Sequence, residues 1–317
     1  MITSQSPQKR RPSWFTRFWA IVRYEMLWNI RKKKFVFILA LVFIIATLVL
    51  VVPVAVSSYN GIKIPANKDY AITFGASGFV FLLFAIGTSV NSISSEFESG
   101  TIVPLVTKPV SRTMIFLGKL FGSFIILIVS YIVLYAYITV ASIIVYGPQN
   151  NLQYMPVIVV GSLMSTLIWV SLLFAVGSIS KNTIITVIVA IILFLALFFT
   201  GPLISLYSQP SPALDYVPGT GANGMLLVGN GTSVSGGTDN IGANIVNYAL
   251  YPSANVTYYK YNLTAITAGE SSLPIIGVLY TESTGLVALR SIVVAAVYTA
   301  VFFTVAWIAL KRSQILE

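Results

Sequence analysis

Charged residues are scarce in this chain, and several of them gather in one short segment. It contains two acids, Glu96 and Glu98, followed by three cations, Lys108, Arg112 and Lys119. Charges this close in sequence can form ion pairs within the chain or with a second protein. The segment therefore offers ion pairing or docking, and the alternative is a pair of solvated acids that balance Arg112 and Lys119.

A nucleotide site is not predicted at the end of this segment. A phosphate-binding loop needs the pattern Gly-x-x-x-x-Gly-Lys-Ser/Thr. Gly118 and Lys119 form the chain's only Gly-Lys pair, but Thr113 replaces the first glycine and Leu120 replaces the final Ser or Thr. The segment therefore does not form a phosphate-binding loop.

Acid–base and metal chemistry are also poorly supported, because histidine and cysteine are both absent. Their absence excludes Ser-His-Asp and Cys-His catalysis and sites built on thiolate or imidazole ligands. Catalysis by paired carboxylates remains possible in principle, but Asp215, Asp239, Glu270 and Glu282 are scattered. We predict no catalytic residue, no metal site and no cofactor bound by this chain.

The composition predicts an all-α integral membrane protein. Of the 317 residues, 56% are hydrophobic and only 9% are charged, against about 25% charged residues in an ordinary soluble domain. A helix needs about 20 apolar residues to cross a bilayer. Six stretches satisfy this, at residues 35–57, 70–92, 114–146, 155–178, 183–207 and 285–310.

The charge distribution predicts the orientation of these spans. Fifteen cations lie on the side that carries both termini and four on the other, so the two faces have net charges of about +11 and −1. Lys and Arg are enriched in cytoplasmic loops, which places both termini in the cytoplasm and the protein in the plasma membrane. The overall charge of +10 therefore reports topology and does not indicate nucleic-acid binding. Lys119 and Arg290 lie near span ends, where we expect them to snorkel towards water.

The chain divides into four parts. Residues 1–34 form a basic tail with an amphipathic helix, Trp14–Arg31, which we expect to lie on membrane lipid or to act as a lever on a cytoplasmic partner. Spans 1–5 occupy residues 35–207. Residues 208–284 are predicted as an external domain, and residues 285–317 contain span 6 and a cytoplasmic tail. Glycosylation patterns occur in the external part at Asn230, Asn255 and Asn262.

The loop between spans 2 and 3, residues 93–113, has the signals of a short cytoplasmic helix. Gly100 can end span 2, Thr101 can cap the new helix, and Pro109 can end it. This segment resembles the cytoplasmic loop of type-2 ABC transporter permeases. The matching positions are Glu96, Gly100, Thr101, Pro109, Val110, Ser111, Arg112, Gly118 and Lys119.

The resemblance implies the membrane subunit of an ATP-driven exporter. Such a subunit pairs with a second permease subunit, identical or different, and with two copies of a separate ATPase that bind ATP and Mg. The loop helix would couple the ATPases to the spans through Glu96, Glu98, Gly100, Thr101, Lys108, Pro109 and Arg112. Spans 2 and 5 would line the substrate path, which makes Phe81, Phe84, Asn91, Phe194 and Phe198 candidate wall residues.

An apolar path would suit a hydrophobic or amphiphilic substrate such as a lipid, a drug-like compound or a peptide. The alternative for the path residues is ordinary helix packing. The alternative for the whole chain is a membrane-anchored surface protein whose external domain recognises a ligand. The absence of cysteine and the Asn/Tyr/Ile-rich usage fit an archaeal source.

Overall fold

A computed structural model describes most of the chain. The described residues are 13–31, 33–61, 68–74, 78–90, 92–99, 111–207, 212–219, 224–228, 231–261 and 275–312. The helices are α1 (Trp14–Arg31), α2 (Lys33–Tyr59), α3 (Tyr70–Thr73), α4 (Gly78–Ser89), α5 (Ser94–Glu98), α6 (Arg112–Tyr146), α7 (Met155–Ser180), α8 (Thr183–Tyr207), α9 (Ile241–Leu250) and α10 (Thr284–Arg312). The strands are β1 (Gly224–Val228), β2 (Gly231–Ser235), β3 (Asn255–Tyr261) and β4 (Ile275–Ser283).

Six helical stretches of the described residues are long and apolar enough to cross a membrane, which confirms the six predicted spans. Five of them are the single helices α2, α6, α7, α8 and α10. Span 2 differs, because it is divided among α3, α4 and α5. Near the end of α4, the hydroxyls of Thr88 and Ser89 donate to the carbonyls of Phe84 and Ala85. Hydroxyls that bond back to the preceding turn commonly bend a helix.

The spans differ in how much of their surface the chain itself covers. In the apolar stretch of span 2, 88% of the residues are buried, and the stretch that includes α7 has 72%. The corresponding share is only 17% for both α8 and α10. Span 2 and α7 thus form the centre of the bundle, while α8 and α10 present large apolar faces outward.

The segment between α8 and α10 contains an antiparallel sheet with strand order β2-β1-β3-β4. The longest pairing runs from Asn255 opposite Ser283 to Tyr261 opposite Ile275, with irregularities after Tyr258 and Lys260. The all-α prediction therefore holds for the spans but not for this segment. Strand β3 is rich in β-branched and aromatic residues, and Val256 and Tyr258 on one face are buried while Thr257 and Tyr259 on the other are partly exposed, as expected for a half-buried strand.

Part of this segment also packs along the spans. A Cβ on Gly161 of α7 would overlap the backbone of Gly242 in α9, so the two helices touch through their glycines. Farther along α7, Ser165 donates to the carbonyl of Thr238 at 2.5 Å, and the Trp169 ring lies beside Gly219. Trp169 lies about 20 Å along α7 from its first residue. Irregular backbone at such a depth is compatible with a bilayer when protein surrounds it.

Candidate functional site

A buried ionic cluster lies where α1, α5 and α6 meet. Lys119 Nζ is 3.0 Å from Glu25 Oε2 and 2.6 Å from Glu96 Oε1. The three residues are 3%, 1% and 7% exposed, respectively. They belong to three different helices, so the cluster, which we call the Lys119 cluster, joins parts of the chain that are distant in sequence.

Neutral groups complete the hydrogen bonding of Glu25. Its Oε1 accepts from Ser92 Oγ at 2.6 Å and from Asn29 Nδ2 at 3.3 Å. Nearby, Ser123 donates to the carbonyl of Thr88 at 3.1 Å. Buried charges are tolerated when they are paired and when hydrogen bonds satisfy their remaining lone pairs. Lys119 pairs with both carboxylates of the cluster. The stability of the buried cluster therefore depends on this one ammonium group.

Two glycines of α6 allow α1 to approach closely enough for this contact. A Cβ on Gly118 would lie 2.6 Å from Ile21 Cγ2, and a Cβ on Gly122 would lie 2.8 Å from Glu25 Cβ. Small residues four positions apart are a common means of close helix packing in membranes. Lys119 lies between these glycines and is therefore held against α1.

Enlarging Gly122 should separate α1 from α6. We expect Gly122→Leu to destabilise the protein by about 1–3 kcal/mol, because the new side chain must displace the stem of Glu25. Thermal unfolding in detergent would measure the loss, and a cysteine at the fully buried Val22 would gain reactivity towards a water-soluble reagent. Gly277→Ala is the control, since a Cβ at that position meets no atom within 4 Å. Equal stability of the two variants would contradict the assigned helix contact.

The predicted helix α1 is confirmed, but the side that it buries differs from the expected apolar face. A helical period of 100° per residue predicts one apolar face made of Phe15, Phe18, Trp19, Val22, Met26 and Ile30. Of these, Val22 is fully buried, while Phe15 and Trp19 are exposed. The buried side is Val22, Glu25 and Asn29. The exposed aromatic residues remain suited to a lipid headgroup boundary.

The expectation that Lys119 snorkels to water is wrong. Its ammonium is directed inward because Glu25 and Glu96 neutralise it inside the bundle. The interpretation of Glu96 as a solvated acid fails for the same reason. One signal in the sequence could have indicated this pairing. Lys119 lies between Gly118 and Gly122, which allow close helix packing, and the predicted helix Trp14–Arg31 carries the acid Glu25.

Helix α5 also contacts the turn that joins α7 to α8. Ser94 Oγ accepts a hydrogen bond from Thr183 Oγ1 at 3.2 Å, and Lys181 Nζ lies 5.4 Å from the centre of the Phe97 ring. With Glu96 bound to Lys119, α5 is thus attached to both sides of the bundle. A displacement of α5 would act on α1, α6 and the α7–α8 turn together.

The other predicted coupling residues do not belong to the Lys119 cluster. Glu98 is exposed at the end of α5. Arg112, at the beginning of α6, donates to the carbonyl of Lys311 at 2.9 Å and so joins span 3 to the end of span 6. The predicted loop helix lies outside the described residues, as do Gly100, Thr101, Lys108 and Pro109.

Three of the predicted path residues lie inside the bundle of this chain. Phe81 and Phe84 are 1% exposed and Phe194 is 2% exposed. The Phe84 ring packs edge-on against Tyr131, with 4.8 Å between ring centres. Phe198 is 44% exposed on α8, and Asn91 lies outside the described residues. Their role in a substrate path stays a prediction.

A second ionic cluster, which we call the Arg290 cluster, lies at the beginning of α10. Arg290 is paired with the buried Asp215, and its Nη1 is 2.8 Å from Glu282 Oε2. Tyr258 donates to Asp215 at 2.8 Å and accepts from Arg290 at 3.0 Å. Burial and the Asp215 carboxylate both raise the pKa of Tyr258, which keeps its hydroxyl protonated as a donor. Arg290 is 7% exposed, so the expectation that it snorkels is also wrong.

The glycosylation candidates are only partly described. Asn255 is exposed at the beginning of β3, which is compatible with an acceptor site. Asn230 and Asn262 lie outside the described residues. Modification of any of the three stays a prediction.

Comparison with known proteins gives one result for the whole chain. The sequence model of the family described as ABC-2 family transporter protein matches residues 19–315. No curated protein matches the chain. The family match covers most of α1, all six spans and the segment between α8 and α10. The chain therefore belongs to the ABC-2 transporter family, as a multi-pass membrane permease component that works with an ABC ATPase subunit.

Proposed function

We propose that this chain is the permease subunit of an ATP-driven exporter, which moves a hydrophobic or amphiphilic substrate outward. Two copies of the ATPase and a second permease subunit would complete the transporter. The observation that carries the proposal is the position of Glu96. It lies just before the loop predicted to meet the ATPase, and it is bound inside the bundle to Lys119.

The Lys119 cluster suggests how the coupling works. ATP and Mg, held by the partner ATPase, would drive closure of the two ATPase copies against the loop that follows α5. Because Glu96 and Ser94 attach α5 to Lys119 and Thr183, a push on the loop would move several spans at once. The spans would then alternate between inward- and outward-open states.

The orientation is part of the same proposal. The bond between Arg112 and Lys311 places the beginning of span 3 and the end of span 6 at one end of the bundle, where the cations are concentrated. We infer that this end and both termini face the cytoplasm. The sheet and the Arg290 cluster would then belong to the outer side.

The apolar surface of α8 supports a hydrophobic substrate. Ile188, Ile192, Phe198 and Phe199 are 44–61% exposed, and no acid occurs in this helix. We propose that this face meets the second permease subunit and borders the path between them. A lipid, a drug-like compound or a hydrophobic peptide would find few polar groups to desolvate against it.

Removing the charge of Glu96 should uncouple ATP hydrolysis from export. We expect Glu96→Gln to assemble with the ATPase but to lose most substrate-stimulated hydrolysis, because Lys119 keeps Glu25 but no longer holds α5 by an ion pair. Purified complex in lipid nanodiscs would measure hydrolysis with and without a panel of amphiphiles. Asp69→Asn removes a carboxylate just before α3, at the other end of span 2, and should have a much smaller effect. Unchanged stimulation in Glu96→Gln would contradict the coupling role.

The proposal of a membrane-anchored surface protein makes a different prediction about partners. An exporter subunit should retain an ATPase after extraction in mild detergent. A surface-binding protein should instead retain its external ligand, and deletion of the segment between α8 and α10 should abolish that binding. Copurification from native membranes followed by mass spectrometry separates the two functions.

A further inference from the structure

Asp239 occupies an unusual position for a carboxylate. It belongs to the short 3-10 turn Thr238–Asn240, which precedes α9. A Cβ on Gly78, the first residue of α4, would lie 2.7 Å from Asp239 Oδ2 and 3.2 Å from the Phe194 ring. The carboxylate is therefore placed against span 2 and close to a side chain of span 5.

Asp239 is partly buried, and its surroundings are only partly polar. A small cavity of about 10 Å³ lies beside it, lined by Tyr135, Ser162 and Asn240 together with apolar side chains. A cavity of this size is just large enough to hold one water molecule. The backbone N–H of Gly219 donates to the carboxylate. Among the described residues, no Lys or Arg forms an ion pair with Asp239.

The nearby titratable groups do not neutralise this carboxylate. Tyr135 shares the cavity and is hydrogen-bonded to Ser162, while Arg290 is committed to Asp215 and Glu282. Helices α4 and α7 carry no titratable side chain. The other helices that contact the turn Thr238–Asn240 are α9, which carries Tyr248, and α10, which carries Arg290, Tyr298, Lys311 and Arg312.

We propose that Asp239 is a proton-binding site whose protonation holds the contact between the turn Thr238–Asn240 and α4 closed, and whose proton is released when this contact opens to water. Among the described residues the carboxylate has no cationic partner in the closed arrangement, and its contact with α4 reduces its hydration, so its charged form is disfavoured there. Opening would hydrate it and remove that penalty. Closed and open states thus differ in their affinity for one proton.

The sign of the pH dependence follows from linkage. Burial raises the pKa of Asp239 from 3.8 to about 6, so the closed state binds the proton more tightly than a hydrated state does. Closure is then favoured at low pH and is weakened as the pH rises from about 4 to about 6. Across this window the closed-to-open ratio should fall roughly 10- to 100-fold.

Asparagine at this position should imitate the protonated state. We expect Asp239→Asn to unfold at a clearly higher temperature than the wild-type chain at pH 7.5 and at an only slightly higher temperature at pH 4.5. Asp69→Asn, which removes a carboxylate beside α3, should show no such difference between the two pH values. Full-length protein in nanodiscs serves for these melts. Equal unfolding temperatures of wild type and Asp239→Asn at pH 7.5 would overturn the proposal.

Distance measurements test the opening itself and do not require an ATPase or a known substrate. The chain has no cysteine, so spin labels can be placed at Phe79 in α4 and Tyr248 in α9, both of which are exposed. Dilution with unlabelled protein isolates distances within one chain. Between pH 4.5 and 7.5 the distance should lengthen in the wild type and stay short in Asp239→Asn. A lengthening that persists in the variant, or none in the wild type, would overturn the proposal.

Discussion

Replacing Lys119 with methionine should destabilise the folded protein by about 3–5 kcal/mol, the range expected when one partner of a buried ion pair is removed. Methionine fills a similar volume but leaves Glu25 and Glu96 facing each other in the bundle without a cation. Both carboxylates are buried, so water cannot replace Lys119 without opening the contact between α1 and α6. Thermal unfolding in detergent and the yield of monodisperse protein would measure the effect.

A charge-neutral combination distinguishes unpaired charge from lost packing. The variant that joins Lys119→Met to Glu25→Gln and Glu96→Gln buries no net charge, and replacing a whole buried ion cluster by neutral groups is often nearly neutral. We expect it to recover most of the stability but not the ATPase coupling, because α5 then has no ion pair to α6. If the single and triple variants are equally unstable, the carboxylates are not the cause of the loss.

Replacing Arg290 with methionine should have an effect of similar size at the other end of the bundle. Arg290 contacts Asp215, Glu282 and the Tyr258 hydroxyl, and Asp215 is fully buried. Its loss leaves the buried Asp215 carboxylate without the cation that neutralises it, at an expected cost of about 3–5 kcal/mol. The sheet segment would then separate from α10. Limited proteolysis between α8 and α10, together with thermal unfolding, would detect the separation.

Arg290→Lys provides the matched control, since it keeps the charge but not the planar fork of donors. Guanidinium can bind several acceptors at once, whereas an ammonium acts as a compact point charge. We expect Arg290→Lys to keep the segment attached with a smaller loss of stability than Arg290→Met. Protease resistance of Arg290→Met equal to that of the wild type would show that the sheet is held by other contacts.

Much of the architecture could be predicted from the sequence because it depends on local patterns. A run of about 20 apolar residues can only satisfy its backbone in a bilayer as a helix or a closed barrel, and the six predicted spans accordingly appear in the structure. The helix Trp14–Arg31 was equally visible in its periodicity. The loop motif around Glu96 and Arg112 was sufficient to indicate the family that the match over residues 19–315 shows.

The ionic clusters depend on contacts between distant residues, which sequence patterns do not specify. Glu25 and Lys119 are 94 positions apart, and Asp215 and Arg290 are 75 apart. Considered one at a time, a lysine or arginine near a span end is expected to reach for water. In the tertiary structure, the close glycine packing of α6 against α1 brings Glu25 to Lys119. The segment between α8 and α9 brings Asp215 to Arg290. In both cases an ion pair within the protein replaces hydration of the cation.

The sequence by itself thus determined the six spans, the amphipathic first helix, the absence of histidine and cysteine chemistry, and the family. Only the tertiary structure decided that Glu96 is bound to Lys119 and that Asp239 lies against span 2. The physical reason is that the length of an apolar segment is set by consecutive residues. Whether a charged side chain is paired or hydrated depends instead on the residues that surround it in space. Those surroundings are assembled from helices that are far apart in sequence.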